Sequence, residues 1–303
     1  MVLNGMAYLF IGIGSSGTAI LNSVLEYKEI RRDRPIVIRL RSDNKEWNKA
    51  RIGREKRADF AFVISELDDG DEVSRAAAML SESDIKTLFV GVLPAMRRQK
   101  SDNLINAFYT LEKLKEYINS FIIVDNQRIA HLPNFERYYP RYNRYIASCI
   151  VDILAGVRDK TAAMNIARLL SIISFSDEPG YAALSRASEL TKGLAGYILP
   201  FLRHKPLDLR TLIRVSMEKL SIAEAPLSSE RSITFLRVPE YYVREERVDK
   251  ELVEEFMLMY TKECYLAVCT TKRNIAAITN LFVYRFEQLK RLRELRGLAH
   301  EAI

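Results

Sequence analysis

The 303-residue sequence predicts an α/β protein: a doubly wound parallel sheet, then a long linking helix, then a smaller α+β second domain. Three observations predict it. Apolar, β-favouring runs alternate with amphipathic helical stretches from about residue 5 to residue 130, the pattern of a parallel sheet covered on both faces. The first of these runs breaks at Gly12, Gly14 and Gly17, directly before a helix. Residues 142–157, YNRYIASCIVDILAGV, then read as a helix apolar on nearly all sides, which must be buried among other elements.

Each element follows from its own stretch. AYLFIGIGSS is a strand ending in glycines, and GTAILNSVLEYKEI an amphipathic helix. RPIVIRLRS is the second strand, and a basic connection leads to the strand ADFAFVIS and a helix over DEVSRAAAML. IKTLFVGVLP and SFIIVD are strands on either side of a helix over DNLINAFYTLEKLKEYI. After the linking helix, NIARLLSIISF reads as a short helix, EPGYAALSRAS as a strand and SELTKGLAGYILPFLR as a helix. RSITFLRVPEYYV is a strand, KELVEEFMLMYT a helix, and CYLAVCTT and IAAITNLFVYRF precede a basic closing helix, EQLKRLRELRGLAHEA. The expected organisation is 1–140, 141–158 for the linking helix, and 159–303.

Composition narrows the chemistry. At 48% hydrophobic the chain buries a real core. No apolar run approaches the roughly 18 residues of a membrane span, and no signal peptide is recognisable, so a cytoplasmic protein is expected. Cys149, Cys264 and Cys269 suit neither a disulfide framework nor a four-ligand metal site and read as buried thiols. With His131, His204 and His300 as the only histidines, zinc chemistry and Ser-His-Asp catalysis lack raw material. Charged residues outnumber amides heavily, as in thermophile proteins. Lys and Arg number 46 against 39 Asp and Glu, with twelve basic and six acidic residues between Glu26 and Arg57 and a further cluster at residues 97–100. Such clusters attract polyanions, but a solvated surface accounts for them more simply than nucleic acid or acidic membrane.

Gly12, Gly14 and Gly17 form GxGxxG between strand and helix, where backbone N–H groups and a helix N-terminus suit phosphate. The domain is therefore read as nucleotide-binding. A dinucleotide enzyme would place an acid about 20 residues further on; Asp43 in VIRLRSDN comes about nine residues later than that spacing. The third strand ends in SELDDGDE, where Glu66, Asp68, Asp69 and Asp71 surround the single Gly70. Carboxylates there repel phosphate, by roughly 4 kcal/mol for unit charges about 4 Å apart at an effective dielectric near 20, unless a metal held by Asp68 and Asp69 bridges them.

In its order of elements the chain resembles the tubulin/FtsZ superfamily over nearly its whole length. FIGIGSSGTAILNSV is similar to that family's first nucleotide loop, GxGGxGxN. RSDN is similar to its Asn-Thr-Asp loop, with Asp43 on the Asp, and FIIVDNQRI to its Pro-Asn-Asp-Arg/Lys-Leu segment, with Asn126 on the guanine-contacting Asn. The resemblance implies a GTPase-type domain, a central helix and an activation-type domain. It implies phosphate contacts at Gly12, Gly14, Ser15, Ser16, Gly17 and Gly70, base contact at Asn126, stacking at Tyr142, GTP or GDP with Mg²⁺ as cofactors, and head-to-tail self-association or pairing with another tubulin-like protein.

Departures from the family's pattern are concentrated at its chemistry. SELDDGDE stands where the family carries GGGTGTG, whose amides hold the β- and γ-phosphates. AMNIAR, residues 163–168, falls on the Asn-x-Asp-x-x-Asp loop that completes a neighbouring subunit's site, so Asn165 and Arg168 occupy its acidic positions; neither polarises water as a carboxylate does. Arg98 replaces another acid, and Asp152, Asp159 and Asp177 are the nearby candidates to substitute for the lost ones. Three readings follow: a filament-forming or filament-modulating protein with a degenerate site and weak or absent GTP hydrolysis, an active Mg-dependent GTPase using the acidic loop, or a nucleotide- or NAD-binding α/β enzyme.

Overall fold

The computed structural model describes residues 7–40, 58–68, 70–96, 100–192 and 204–302. The strands are β1 (Tyr8–Ile13), β2 (Ile36–Leu40), β3 (Phe60–Glu66), β4 (Lys86–Leu93), β5 (Ser120–Asp125), β6 (Gly180–Leu190), β7 (Ser229–Pro239), β8 (Thr261–Thr271) and β9 (Ile275–Tyr284). The helices are α1 (Gly14–Leu25), α2 (Lys28–Asp33), α3 (Gly70–Glu82), α4 (Ser101–Leu114), α5 (Gln127–Ala130), α6 (Tyr139–Arg158), α7 (Ile166–Ile173), α8 (Leu209–Met217), α9 (Glu240–Arg244), α10 (Lys250–Met257) and α11 (Lys290–Glu301).

All nine strands form one sheet in the order β2-β1-β3-β4-β5-β6-β9-β7-β8. From β2 to β6 every neighbouring pair is parallel. Strand β9 then runs antiparallel between β6 and β7, and β8 lies parallel to β7. The two halves of the chain thus share a single hydrogen-bonded sheet, joined where Ser120–Ile123 of β5 pair with Gly180–Ala183 of β6.

Alternation along the strands fills two apolar layers, as the pleat requires. Leu9, Ile11 and Ile13 of β1 face a core with Val73 and Leu80 of α3, Leu104 and Leu111 of α4, and Leu292 and Leu295 of α11. Tyr8 and Phe10 face the other core, where Ile20 and Val24 of α1 meet Ile146, Ile150 and Leu154 of α6. Helix α6 spans 20 residues, about 30 Å at 1.5 Å per residue, and is buried along its second half as its composition implies. Cys149 and Cys269 are buried and Cys264 half-buried, all as free thiols.

Helix α6 is tied to the sheet by a charge. Asp152 is 2% exposed and accepts from Arg186 Nε of β6 at 2.7 Å, Arg237 Nη1 of β7 at 3.1 Å and Thr279 Oγ1 of β9 at 2.9 Å. Arg237 also pairs with Glu29 of α2 at 2.9 Å. Two expected elements are corrected: RSITFLRVPEYYV is strand only as far as Pro239, with Glu240–Arg244 forming α9, and the stretch beginning at Ser188 does not start a helix, because Ser188, Glu189 and Leu190 continue β6 opposite Ala277, Ala276 and Ile275 of β9. Residues 193–203 of that stretch lie outside the described residues.

Candidate functional site

Strand β1 has β2 on one side and β3, the next parallel strand in sequence, on the other. In doubly wound sheets the crevice beyond the strand C-termini at such a switch point is where ligands bind. A cavity of about 410 Å³ lies there, lined by Ser15, Ser16 and Ala19 of α1, Glu66 and Asp68 after β3, Val92 and Pro94 at the end of β4, Asn126 after β5, and Tyr139 and Asn143 of α6.

The β1–α1 junction is shaped for an anion. Gly14 sits at φ 68°, a left-handed conformation that glycine adopts without steric cost. It turns the chain so that α1 begins at once, with Ser15 and Ser16 of its first turn lining the cavity. Gly17 lets α1 lie against β3: a Cβ there would stand 2.1 Å from the Ile64 carbonyl oxygen.

A carboxylate already holds the anion position. Glu66 Oε1 accepts the Ser16 backbone N–H at 3.0 Å and the Ser15 hydroxyl at 3.0 Å, and the Ser16 hydroxyl donates to the same oxygen. Register explains the placement: Ile13 pairs with Ser65 across the parallel β1–β3 ladder, so the next residue on β3 arrives beside the first turn of α1. A negative group at that end is favoured by the helix dipole, by about 0.3–1 kcal/mol. The charge is felt across the cavity, where burial, with Glu66 and Glu136 next in weight, raises the Tyr139 hydroxyl above its ordinary pKa.

The far wall is braced from the C-terminal helix. Asp125 is fully buried and accepts Gln127 N at 3.0 Å and Ala223 N at 3.3 Å. Arg291 of α11 pairs with Asp125 at 3.3 Å and donates to the Pro94 carbonyl at 2.8 Å. Burial pushes the Asp125 carboxyl up, against the pull of Arg291. Pro94 and Asn126, both lining the cavity, are fixed by this pair.

Of the residues singled out by sequence, Ser15, Ser16, Asp68 and Asn126 meet in the cavity. Gly12, Gly14 and Gly17 shape the turn and the helix packing, and Gly12 is closed in by Leu21 and the Gly17 carbonyl. Gly70 opens α3 and lines an adjoining cavity with Asp68 and Lys113. Tyr142 is engaged elsewhere, its hydroxyl donating to the Ser221 carbonyl at 3.0 Å and its ring stacked on Tyr145. Asp43, Asp69 and Arg98 lie outside the described residues. Among the described residues, no group of three His, Cys, Asp or Glu is arranged to hold a metal ion. Glu66 in this role, Tyr139 and Asn143 were not singled out by sequence; the position of Glu66 as the last residue of β3 was the available signal.

The loop beyond α6 holds Asp159, Asn165 and the start of α7. Asn165 caps α7 by accepting Arg168 N at 2.9 Å, and the Arg168 guanidinium donates to the Ala163 carbonyl at 3.0 Å. Asp152 is enclosed by its arginines, Asp159 binds Thr161 and Thr270, and Asp177 pairs with Arg285 at 2.9 Å.

By sequence, no protein-family model and no curated protein matches the chain. By structure it is similar to GDP-bound CetZ1 from Haloferax volcanii, with 14% identity and a TM-score of 0.73 over 98% of this chain and 99% of that one. It is similar to CetZ2 from the same organism in a GTPgS-bound protofilament, at 14% identity and TM-score 0.70 over 98% and 99%. An FtsZ dimer from M. jannaschii matches at 11% identity and TM-score 0.61 over 92% and 88%.

Proposed function

We propose that this chain, which has the tubulin/FtsZ fold, is a cytoplasmic cytoskeletal protein that self-associates head to tail and whose nucleotide site is degenerate, with weak or absent GTP hydrolysis. The proposed organisation is a GTPase-type region over residues 1–140, a linking helix over 141–158 and an activation-type region over 159–303. One observation carries the reading: the Glu66 carboxylate takes the Ser15 and Ser16 donors at the α1 N-terminus. A phosphate needs those same donors and would have to displace a charge of its own sign. The residues as arranged do not fit a nucleotide phosphate. The absence of a carboxylate at Asn165 and Arg168 points the same way.

A second reading has one supporting observation, namely that Glu66 and Asp68 face the same cavity and a divalent cation between them would let phosphate in. Calorimetric titration of nucleotide-stripped protein with GTP and GDP, with and without magnesium, separates the two. The proposal expects no binding tighter than about 1 mM for the wild type and at least a roughly tenfold gain for Glu66→Ala, which frees the serine donors. Micromolar, magnesium-dependent binding by the wild type that is lost in Asp68→Asn overturns it in favour of the GTPase.

A further inference from the structure

We infer that the cavity beyond β1 and β3 takes an unphosphorylated nucleoside, its base against the amides of Asn126 and Asn143 and its ribose hydroxyls on the carboxylates of Glu66 and Asp68. The inference rests on the degenerate site proposed above and names what that site holds in place of a nucleotide.

The lining decides the charge of the occupant. Glu66 and Asp68 contribute two carboxylates, and among the described residues no Lys or Arg joins them. The guanidinium behind the far wall is already engaged, because Arg291 is held by Asp125 and by the Pro94 carbonyl. An anion entering here meets two charges of its own sign and no counter-charge. An uncharged molecule is spared that repulsion.

The polar atoms decide its hydrogen bonding. The Ser15 hydroxyl, the Ser16 hydroxyl and the Ser16 N–H all donate to one oxygen of Glu66, Oε1. Among the described residues nothing donates to Oε2, so a ligand reaching it must bring an O–H or N–H. Carboxylates beyond the strand ends of doubly wound sheets take ribose hydroxyls in this way, through short, charge-assisted bonds.

Toward β5 and α6 the chemistry changes. Asn126 follows β5 and Asn143 lies in the second turn of α6, both half-buried. Among the described residues, neither side-chain amide is hydrogen-bonded within the chain. Each offers a donor and an acceptor, the pair with which an Asn amide reads the edge of a base. Val92, Pro94 and Tyr139 line the cavity with them, and the Tyr139 ring is set edge-to-face on Phe135 at 5.7 Å. The volume of about 410 Å³ suits a small-molecule site. A bare base would leave the carboxylates unused, and a sugar alone the amides and the ring. A nucleoside uses both ends. Each phosphate added to it brings charge beside Glu66 and Asp68, so affinity should fall with phosphorylation, the reverse of the order in a nucleotide-binding site.

Calorimetry on the full-length, nucleotide-stripped protein tests this with guanosine, adenosine, cytidine and uridine, each compared with its 5′-monophosphate, 5′-triphosphate and 2′,3′-dideoxy form. At least one nucleoside is expected to bind with a dissociation constant of about 10–100 μM. Its monophosphate should bind roughly tenfold or more weakly, and its triphosphate more weakly still. Loss of both ribose hydroxyls should also weaken binding roughly tenfold, and Asn143→Ala roughly fivefold with an unchanged circular dichroism spectrum. Glu66→Gln should weaken the nucleoside and narrow its lead over the monophosphate. A triphosphate that binds more tightly than its nucleoside overturns this inference and the degenerate site together. Three results overturn the nucleoside alone and leave the degenerate site standing: no binding of any nucleoside or nucleotide, spermidine binding in preference to every nucleoside, or nucleoside binding untouched both by Asn143→Ala and by loss of the hydroxyls.

Discussion

Glu66 and Asp152 are each held by three donors, but the donors and the surroundings differ. Asp152 is enclosed by two guanidinium groups and a threonine hydroxyl, and is 2% exposed. Glu66 is partly exposed and held by two serine hydroxyls and one backbone N–H, all neutral. The first carboxylate belongs to the construction of the fold, because its removal strands the Arg186 charge between α6 and the sheet and leaves Arg237 with Glu29 alone. The second occupies a place that the fold provides for any anion, and α1 retains its dipole and its donors without it. The contrast separates residues that make the tubulin/FtsZ architecture from those that decide what its cavity holds.

The sharpest attempt to break this contrast is Asp152→Ala. It should cost about 3–5 kcal/mol in denaturant unfolding, the range for removing one partner of a buried charged cluster. An equal cost for Glu66→Ala would erase the distinction. Gly17→Ala probes the platform on which Glu66 sits. Its Cβ would meet the Ile64 carbonyl at 2.1 Å, and the required shift of α1 from β3 should cost about 1–3 kcal/mol and weaken the Ser16–Glu66 contact with it. Glu66→Gln keeps the shape and removes the charge; about 0.5–1 kcal/mol of stability should be lost, as for a helix-capping group.

The smallest effect is expected at the other end of α6. Burial works to raise the Asp159 carboxyl, but hydrogen bonds from Thr161 and Thr270 outweigh it and hold the group below its ordinary 3.8. A carboxyl with a depressed folded pKa contributes stability that is present above 3.8 and is lost as pH falls through the folded value. Carboxyl NMR titration should place the Asp159 midpoint below 3.8, and Thr161→Ala should move it upward.

Most of the element order was legible because α/β alternation is a local signal: β1 to β5, α3, α4 and α6 stand where their apolar patterns placed them, whereas the single helix expected over GTAILNSVLEYKEI is divided into α1 and α2. Asn165 was legible as a position but not as a cap, since its bond to Arg168 N depends on where α7 begins. What stayed hidden was set by partners distant in sequence. Glu66 meets Ser16 only through the register of β1 on β3, across 50 residues. The Tyr142 hydroxyl likewise finds its partner, the Ser221 carbonyl, 79 residues away. The tail of β6 looked helical because Glu189 and Leu190 have no strong β preference; pairing with β9 overrides that propensity.

The joining of both halves in one sheet has a mechanical consequence. Strand β6 is secured to β9 by ten residue pairs, but to β5 by only four, Ser120–Ile123 opposite Gly180–Ala183. Under tension the plate therefore has a designated seam, reinforced from above by α6 and its Asp152 rivet. Pulled from its two edges, the sheet would yield first along β5–β6.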